Sequence, residues 1–280
     1  MPPSVEILMI THNRPDYTRR SLSRLLDTCS GDARVWVWQN GSHVETLEVV
    51  RSFRGHPRLA RVHESEENIG IRDPTNWFWK ESEAPLLGKV DDDCLVTPGW
   101  IEKLASAHAA NPTFGSIACW HFREEDFAPE LAAPKIREFA QGQKLLVNFW
   151  TPGSGYLLKR DCVEANGYIG REQSFTGYCV QLALAGWTNG WYFPLILQDH
   201  MDDPRSDFTM LRDDRDLRRF APLSAKANQV DTLKEWDEQL RRSARLIQTA
   251  SIDPRDYRGV RRWLRRMNQR GRRLLTGHSW

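Results

Sequence analysis

The 280-residue chain contains no CxxC pair, and its five cysteines (Cys29, Cys94, Cys119, Cys162 and Cys179) are odd in number and scattered. That pattern argues against a disulfide framework and a zinc cluster and suits a reducing cytoplasm. No apolar run approaches the roughly 20 residues that a membrane-spanning helix needs. The N-terminus lacks a basic stretch followed by an apolar core and a cleavage site, so no signal peptide is expected and the expected location is cytoplasmic. No GxGxxG follows the first apolar run and no GKS/T loop occurs, which speaks against NAD-type enzymes and P-loop ATPases. Internal repeats and low-complexity segments are also missing.

What is present is ordinary soluble globular material, 27% charged and 40% apolar, long enough for one large α/β domain or two small ones. Twelve tryptophans are many; their rings suit both a core and a sugar-stacking surface. Charge is unevenly spread. Residues 255–280 hold nine arginines and one acid, Asp256, a net of +8; against +2 for the whole chain this leaves −6 on residues 1–254. A basic tail on an acidic body invites an anionic partner.

The first hundred residues alternate apolar runs with helical patterns. Val5–Ile10 reads as a buried strand, and Leu22, Leu25, Leu26 and Cys29 then mark one helical face, with Pro15 in its first turn. Val35–Trp38 is a second strand, with a turn at Asn40–Ser42 and a helix marked by Val44, Leu47 and Val50. Leu59–His63 is a third. Asp73-Pro74 suggests a capped helix start. Leu86–Val90 is a fourth strand, and Thr97-Pro98 opens the next helix. Strands are also read at Gly115–Cys119, Leu145–Phe149 and Gly155–Lys159, with a long loop between Cys119 and Leu145. A late helix is marked by Val230, Leu233, Trp236 and Leu240. Such alternation implies an α/β fold with a mostly parallel central sheet flanked by helices, whose ligands sit outside the carboxyl ends of the strands. The polar residues after each strand fall there: Thr11 to Arg14, Asn40 and Ser42, Asn68, and Asp91, Asp92 and Asp93.

Three consecutive carboxylates at a strand end repel one another and call for a counter-charge. A divalent cation supplies it, because Mg²⁺ or Mn²⁺ takes one or two carboxylates plus substrate phosphates. In an extended D-x-D, Asp91 and Asp93 point to the same side. The competing reading is a solvated acidic turn.

In order and spacing, "VEILMITHNRP", "VWQNGS", "ENIG" and "GKVDDDCLVTPGWIEKL" resemble the nucleotide-binding half of a GT-A glycosyltransferase, and more narrowly glycosyltransferase family 2. "TPGSGYLLKRDCVEANGY" resembles the segment that lines the donor sugar and acceptor. The resemblance covers roughly residues 5–200. It implies a Rossmann-like GT-A domain over 1–220, with a nucleotide-binding half at 1–95 and a sugar and acceptor half at 96–220. Residues 221–280 would form a helical extension. It further implies a nucleotide-sugar donor, with a lean to UDP, Mn²⁺ or Mg²⁺ as cofactor, and a glycan or lipid-linked acceptor in polysaccharide or glycoconjugate synthesis. Carried over by position, Thr11, Asn13, Arg14, Asn40, Asn68, Arg72, Lys89, Asp91 and Asp92 would meet the nucleotide. Asp91, Asp93 and His200 would hold the metal. Trp150, Gly153, Ser154 and Gly155 would line the sugar and acceptor. The sequence departs from the family pattern in two places. Gln39-Asn40 stands where an aspartate is usual. Ser174-Phe175 stands where an Glu-Asp pair normally supplies the catalytic carboxylate, which leaves Glu172 as the nearest candidate base for an inverting transfer.

In the tail, Val260, Trp263, Leu264, Met267, Leu274 and Leu275 approach one helical face among arginines, a pattern that suits peripheral binding to the anionic inner membrane surface or packing on a protein surface. No nucleic-acid recognition motif accompanies it. Two alternatives to a glycosyltransferase stand beside it. One is a sugar-phosphate nucleotidyltransferase, although "THNRPDY" lacks that class's glycine-rich signature. The other is a nucleotide- or glycan-binding protein without catalysis.

Overall fold

A computed structural model describes residues 4–220 and 222–261. The chain runs β1 (Val5–Thr11), α1 (Pro15–Thr28), β2 (Arg34–Asn40), α2 (Val44–Ser52), β3 (Leu59–Ser65), α3 (Arg72–Glu81), β4 (Leu86–Lys89), β5 (Cys94–Val96), α4 (Trp100–Ala110) and β6 (Phe114–Ala118). It continues with α5 (Pro129–Ala132), β7 (Ile136–Glu138), β8 (Lys144–Asn148), β9 (Tyr156–Lys159), α6 (Arg160–Asn166), α7 (Phe175–Leu184), β10 (Thr188–Phe193) and β11 (Gln198–His200). Three helices follow: α8 (Asp214–Phe220), α9 (Leu223–Ala227) and α10 (Leu233–Thr249).

Nine strands form one sheet in the order β3-β2-β1-β4-β9-β6-β10-β8-β7. β9 runs against β4 and β6, and β8 runs against β10 and β7; the remaining strands share one direction, so the sheet is mixed, parallel from β3 to β4 and with antiparallel pairings beyond it where a mostly parallel sheet was expected. Every residue of β1 is buried, which is what a central strand covered on both faces requires. Alternation divides its side chains: Leu8 and Ile10 enter one core cluster, while Val5, Ile7 and Met9 enter the other.

Local chemistry shifts some element boundaries. Pro15 does occupy the first turn of α1. α3, however, begins at Arg72 after an Ile71 cap, and Asp73 pairs with Arg72 instead of capping the helix. α4 begins at Trp100 behind Gly99, whose φ is 81°; the Thr97 hydroxyl instead donates to the Leu197 carbonyl at 3.0 Å. In α2 the buried face is Thr46, Val49 and Val50, while Val44 is exposed. The expected loop after Cys119 contains α5 and β7, and β7 closes the sheet edge.

Two features position the site. First, β5 and β11 form a separate antiparallel ribbon that pairs His200 with Cys94 and Asp199 with Leu95. Second, the C-terminal helices are fastened to the body. α10 starts with a reciprocal cap between Thr232 and Glu235 and buries Trp236, Leu240, Ala244 and Ile247. Near its end the Ile247 carbonyl accepts from Lys135 Nζ and from Asn148 Nδ2, partners that carbonyls in a last turn otherwise lack. The Gln248 amide donates to the Asp126 carbonyl at 2.8 Å and accepts from Ala128 N–H at 2.6 Å. The basic amphipathic tail read at 255–280 lies, from residue 262 onward, outside the described residues.

Gly155, at the start of β9, has φ +65°, and a β-carbon there would lie 1.8 Å from Gln198 Oε1. Gly155→Ala is therefore expected to destabilise the protein by about 1–3 kcal/mol, the range for strained backbone and displaced neighbours. Urea unfolding of the two proteins measures it.

Candidate nucleotide and metal site

The ends of β1, β2, β4 and β6 open into one cavity of about 800 Å³. Its floor includes His12, Asn13 and Arg14 after β1, Asn40 at the end of β2, and Asp91 to Cys94 between β4 and β5. Asn68, Gly70 and Ile71 wall one side. His121, Gly153, Ser154, Gln198 and His200 wall another. The roof comes from the C-terminal helices, with Arg219, Phe220, Leu223, Lys226, Trp236, Gln239 and Ser243.

The three aspartates are treated differently by their surroundings. Asp91 donates its backbone N–H to Ser154 Oγ at 2.9 Å, and its carboxylate bonds Lys89 Nζ, which also donates to the Gly153 carbonyl at 2.9 Å. The Lys89 side chain is 5% exposed, that of Asp91 39%. Lys89 thus lies beneath the floor, orienting Asp91, and does not line the cavity itself. Asp92 turns inward, accepting from Thr18 Oγ1 at 3.3 Å with Arg14 Nη1 at 4.0 Å. Burial, only partly offset by Arg14, pushes its carboxyl up to about 7. Asp93 divides its oxygens. Oδ2 faces Arg14 Nη1 at 3.3 Å, and Oδ1 faces His200 Nε2 at 3.5 Å and Cys94 Sγ at 3.2 Å. Burial opposes its charge, yet His200 and Arg14 hold it well below the usual carboxylate range. Burial alone would lower the His200 pKa; the Asp93 carboxylate raises it to about 9.

Arg14 is the hub. Its Nη2 makes a bidentate contact with Asp202 at 2.6 and 2.7 Å, and the guanidinium stacks on the Tyr17 ring, 3.7 Å from the centroid. Asp202 is fully buried, and Trp236 Nε1 donates to its carbonyl at 2.7 Å. Asn40 spends both amide hydrogens on Asn68 Oδ1 (2.8 Å) and the Gly70 carbonyl (2.9 Å), and accepts from Ile69 N–H at 2.9 Å. It therefore shapes the 68–70 loop.

Several residues expected at the site stand elsewhere. Thr11 is buried at the end of β1, outside the cavity lining. Arg72 binds Asp73 and the Arg171 carbonyl, and does not line the cavity. Trp150 is directed to Tyr257, ring centroids 6.4 Å apart, and Gly155 serves the β9 backbone; of the sugar-side group, Gly153 and Ser154 reach the cavity. Glu172 lies on an exposed turn and is not a lining residue. The missing carboxylate has a structural counterpart: Ser174 caps α7 through Gly177 N–H, and Phe175 stacks on Tyr156 with centroids 4.3 Å apart. Asp93 and His200 do approach each other, but the ligand cluster they form includes Cys94 and not Asp91; these three place their ligand atoms within 4.8 Å of one another. This donor set fits a divalent cation. Sequence reasoning missed His121, which follows β6 as the other polar residues follow their strands, and the whole roof, which no strand-end rule could indicate.

A family model described as glycosyl transferase family 2 matches residues 6–160. Two validoxylamine A glucosyltransferases, from Streptomyces hygroscopicus subsp. limoneus and subsp. jinggangensis (strain 5008), are each 26% identical over 149 residues, 48% of this chain. The match spans 33% and 35% of those proteins, about a third of their length. Among solved structures, the mannosyltransferase PcManGT from Pyrobaculum calidifontis, in complex with GDP-Man and Mn²⁺, is similar over 97% of this chain and 81% of its own, with TM-score 0.57 and 17% identity. S. aureus TarS 1–349 in complex with UDP-GlcNAc covers 69% of this chain and 55% of its own, with TM-score 0.53 and 16% identity. These likenesses show the GT-A fold.

The Asp92 environment makes stability depend on pH. Its folded pKa of about 7 lies above the unfolded value, so the folded state holds the proton more tightly and stability falls as pH rises from about 4 to 7. Asp92→Asn removes that loss. The variant is expected to exceed wild type at pH 8 by on the order of 1–3 kcal/mol and by much less at pH 4, as read by chemical denaturation at both pH values.

Proposed function

The chain belongs to glycosyl transferase family 2, and from that premise we propose that it transfers a sugar from a nucleotide-sugar donor to a hydroxyl of a glycan or lipid-linked acceptor, with Mn²⁺ or Mg²⁺. The observation that carries this reading is the convergence of Asp91, Asp93, His200 and the Asn40-braced 68–70 loop on one strand-end cavity. A divalent cation bound at the carboxylates would neutralise the departing diphosphate. Around it, Lys89 fixes the Asp91 carboxylate and Arg14 fixes that of Asp93. Gly70 and Ile71 offer a wall for the nucleoside, and Arg219 and Lys226 bring positive charge to the roof above an anionic donor. The likeness to proteins holding GDP-Man and UDP-GlcNAc makes GDP- and UDP-sugars the first donors to try.

The acceptor proton needs a base. The carboxylates lining the cavity are Asp91, Asp92 and Asp93, and Asp91 is the most accessible, with side chains 39%, 10% and 13% exposed respectively. Asp91 is bonded to Lys89 and is proposed as a ligand of the cation beside the leaving diphosphate, so the triplet supplies the metal site and the base is assigned to a residue outside it. A second reading, nucleotide-sugar binding without transfer, is favoured by the absence of a carboxylate at Ser174-Phe175, and a donor-turnover assay with mixed acceptors separates the two.

Among the described residues no helix is long and apolar enough to cross a membrane. The basic tail is proposed to hold the protein at an anionic surface, each arginine near it contributing about 1 kcal/mol.

Three outcomes are expected. UDP or GDP affinity measured by calorimetry falls when EDTA replaces Mn²⁺; equal affinity would remove the cation from the proposal. Asp91→Asn weakens Mn²⁺-dependent nucleotide binding by about tenfold or more, the usual cost of disturbing a metal site, while Glu172→Gln, outside the cavity lining, leaves that binding unchanged. Removal of residues 255–280 abolishes co-sedimentation with anionic liposomes at low salt, and failure of the full chain to sediment would refute the membrane role.

A further inference from the structure

The roof of the cavity has two chemically different ends. Over the end of β1 it is cationic: Phe220 packs on Tyr17 with ring centroids 5.9 Å apart and holds the Arg219 guanidinium 4.9 Å from its own ring, and burial together with the nearby Lys226 lowers the His12 pKa. The other end is built by α10 and carries no charge. That helix has seven charged residues in 17, yet the four it presents to the cavity are Trp236, Gln239, Leu240 and Ser243, which fall at i, i+3, i+4 and i+7 on one face. Trp236 fastens this face beside Asp202, and Gln248 fastens the helix to Asp126 and Ala128, so α10 spans the gap between β11 and the segment after β6. Beneath it, Gln198 N–H donates to the Trp120 carbonyl at 2.7 Å and Trp120 N–H to the Ile196 carbonyl at 2.8 Å. These bonds stitch the ends of β6 and β11 together and bring His121, Phe122 and Gln198 under the helix.

We propose that this compartment, between α10 and the junction of β6 with β11, holds the acceptor, and that the acceptor is an uncharged sugar whose hydroxyls are read by Gln239, Ser243 and His121 and whose apolar face lies on Phe122 and Leu240. The inference rests on the sugar-transfer reading above and assigns the acceptor within it. Gln239 Nε2 donates to Ser243 Oγ at 3.2 Å, and Gln239 Oε1 accepts from Arg242 Nη2 at 3.2 Å. The second amide hydrogen of Gln239 and the hydroxyl hydrogen of Ser243 are left for a ligand. His121 Nδ1 is buried, so Nε2 is the nitrogen that can face the cavity. Its ring lies 4.1 Å from that of Phe122, and a sugar offers apolar C–H faces to such surfaces as well as hydroxyls to the polar groups beside them. Burial, with the charge of His200, lowers the His121 pKa to about 3, so the imidazole is neutral. A phosphate or carboxylate held here would be buried without a counter-charge, which is costly. The same proximity of His121 to His200 and Asp93 sets the compartment next to the cation site, where an acceptor hydroxyl has to meet the transferring sugar.

Saturation-transfer NMR on the full-length protein tests this. The protein, with and without UDP and Mg²⁺, is titrated with methyl glycosides and neutral disaccharides of glucose, mannose and galactose, and with the matching sugar phosphates and uronates. At least one neutral sugar is expected to bind at millimolar concentration, and its charged counterparts about tenfold more weakly or less, the penalty of an uncompensated charge. Gln239→Leu and Ser243→Ala should each weaken the neutral sugar by roughly 2–10-fold, the worth of one hydrogen bond, with UDP affinity unchanged. Circular dichroism checks that both variants fold; if either does not, His121→Phe takes its place with the same expected loss. The proposal is overturned if no neutral sugar binds, if the charged sugars bind more tightly, or if the folded variants bind the neutral sugar as wild type does. UDP and GDP binding to wild type is read on the same samples, so failure of the donor site is seen separately from failure of the acceptor compartment.

Discussion

The guanidinium of Arg14 holds Asp202 bidentately and also faces Asp92 and Asp93. Without a fixed cation at this point, three carboxylates from two distant segments could not lie so near one another beneath the cavity. Removing one partner of a buried ion pair costs about 3–5 kcal/mol, because the remaining charge is left uncompensated. Stacking on Tyr17 and the N-terminal position on α1 fix the guanidinium in place, so the helix after β1, the segment after β4 and the segment after β11 meet through one side chain. A position that family resemblance assigns to the nucleotide thus serves as the internal counter-charge of the acidic floor.

Around this hub the acidic triplet divides its labour. Asp92 is drawn inward, where burial favours its neutral form; Asp93 remains charged between Arg14 and His200; Asp91 reaches the cavity on the arm of Lys89. The same residue type thereby acquires three different electrostatic settings within three positions, set by burial and by which cation stands nearest.

The C-terminal helices complete the cavity. Trp236 ties α10 to the Asp202 carbonyl, and Lys135, Asn148 and Gln248 fasten its far end. The roof residues Arg219, Lys226, Gln239 and Ser243 lie beyond the family match, which ends at residue 160. The floor therefore lies within the family match and the roof beyond it.

The strand–helix alternation of the first hundred residues was legible because parallel strands buried on both faces read as continuous apolar runs, and because ligand-facing polar residues follow directly after them. Asp91 to Asp93, Arg14, Asn40, Asn68, Ser154 and the approach of His200 to Asp93 were reached in this way or through the resemblance such runs carry. Glu172, Arg72 and Trp150 do not line the cavity, since sequence distance from a motif says nothing about which way a side chain turns: Arg72 is held by its own neighbour Asp73, and Trp150 faces Tyr257. Local sequence determined the elements and the chemistry placed at their ends. Only the tertiary structure decided that Cys94 meets His200, that Arg14 is spent on Asp202, and that helices after residue 213 roof the cavity, because each depends on contacts between segments up to two hundred residues apart whose register is set by global packing.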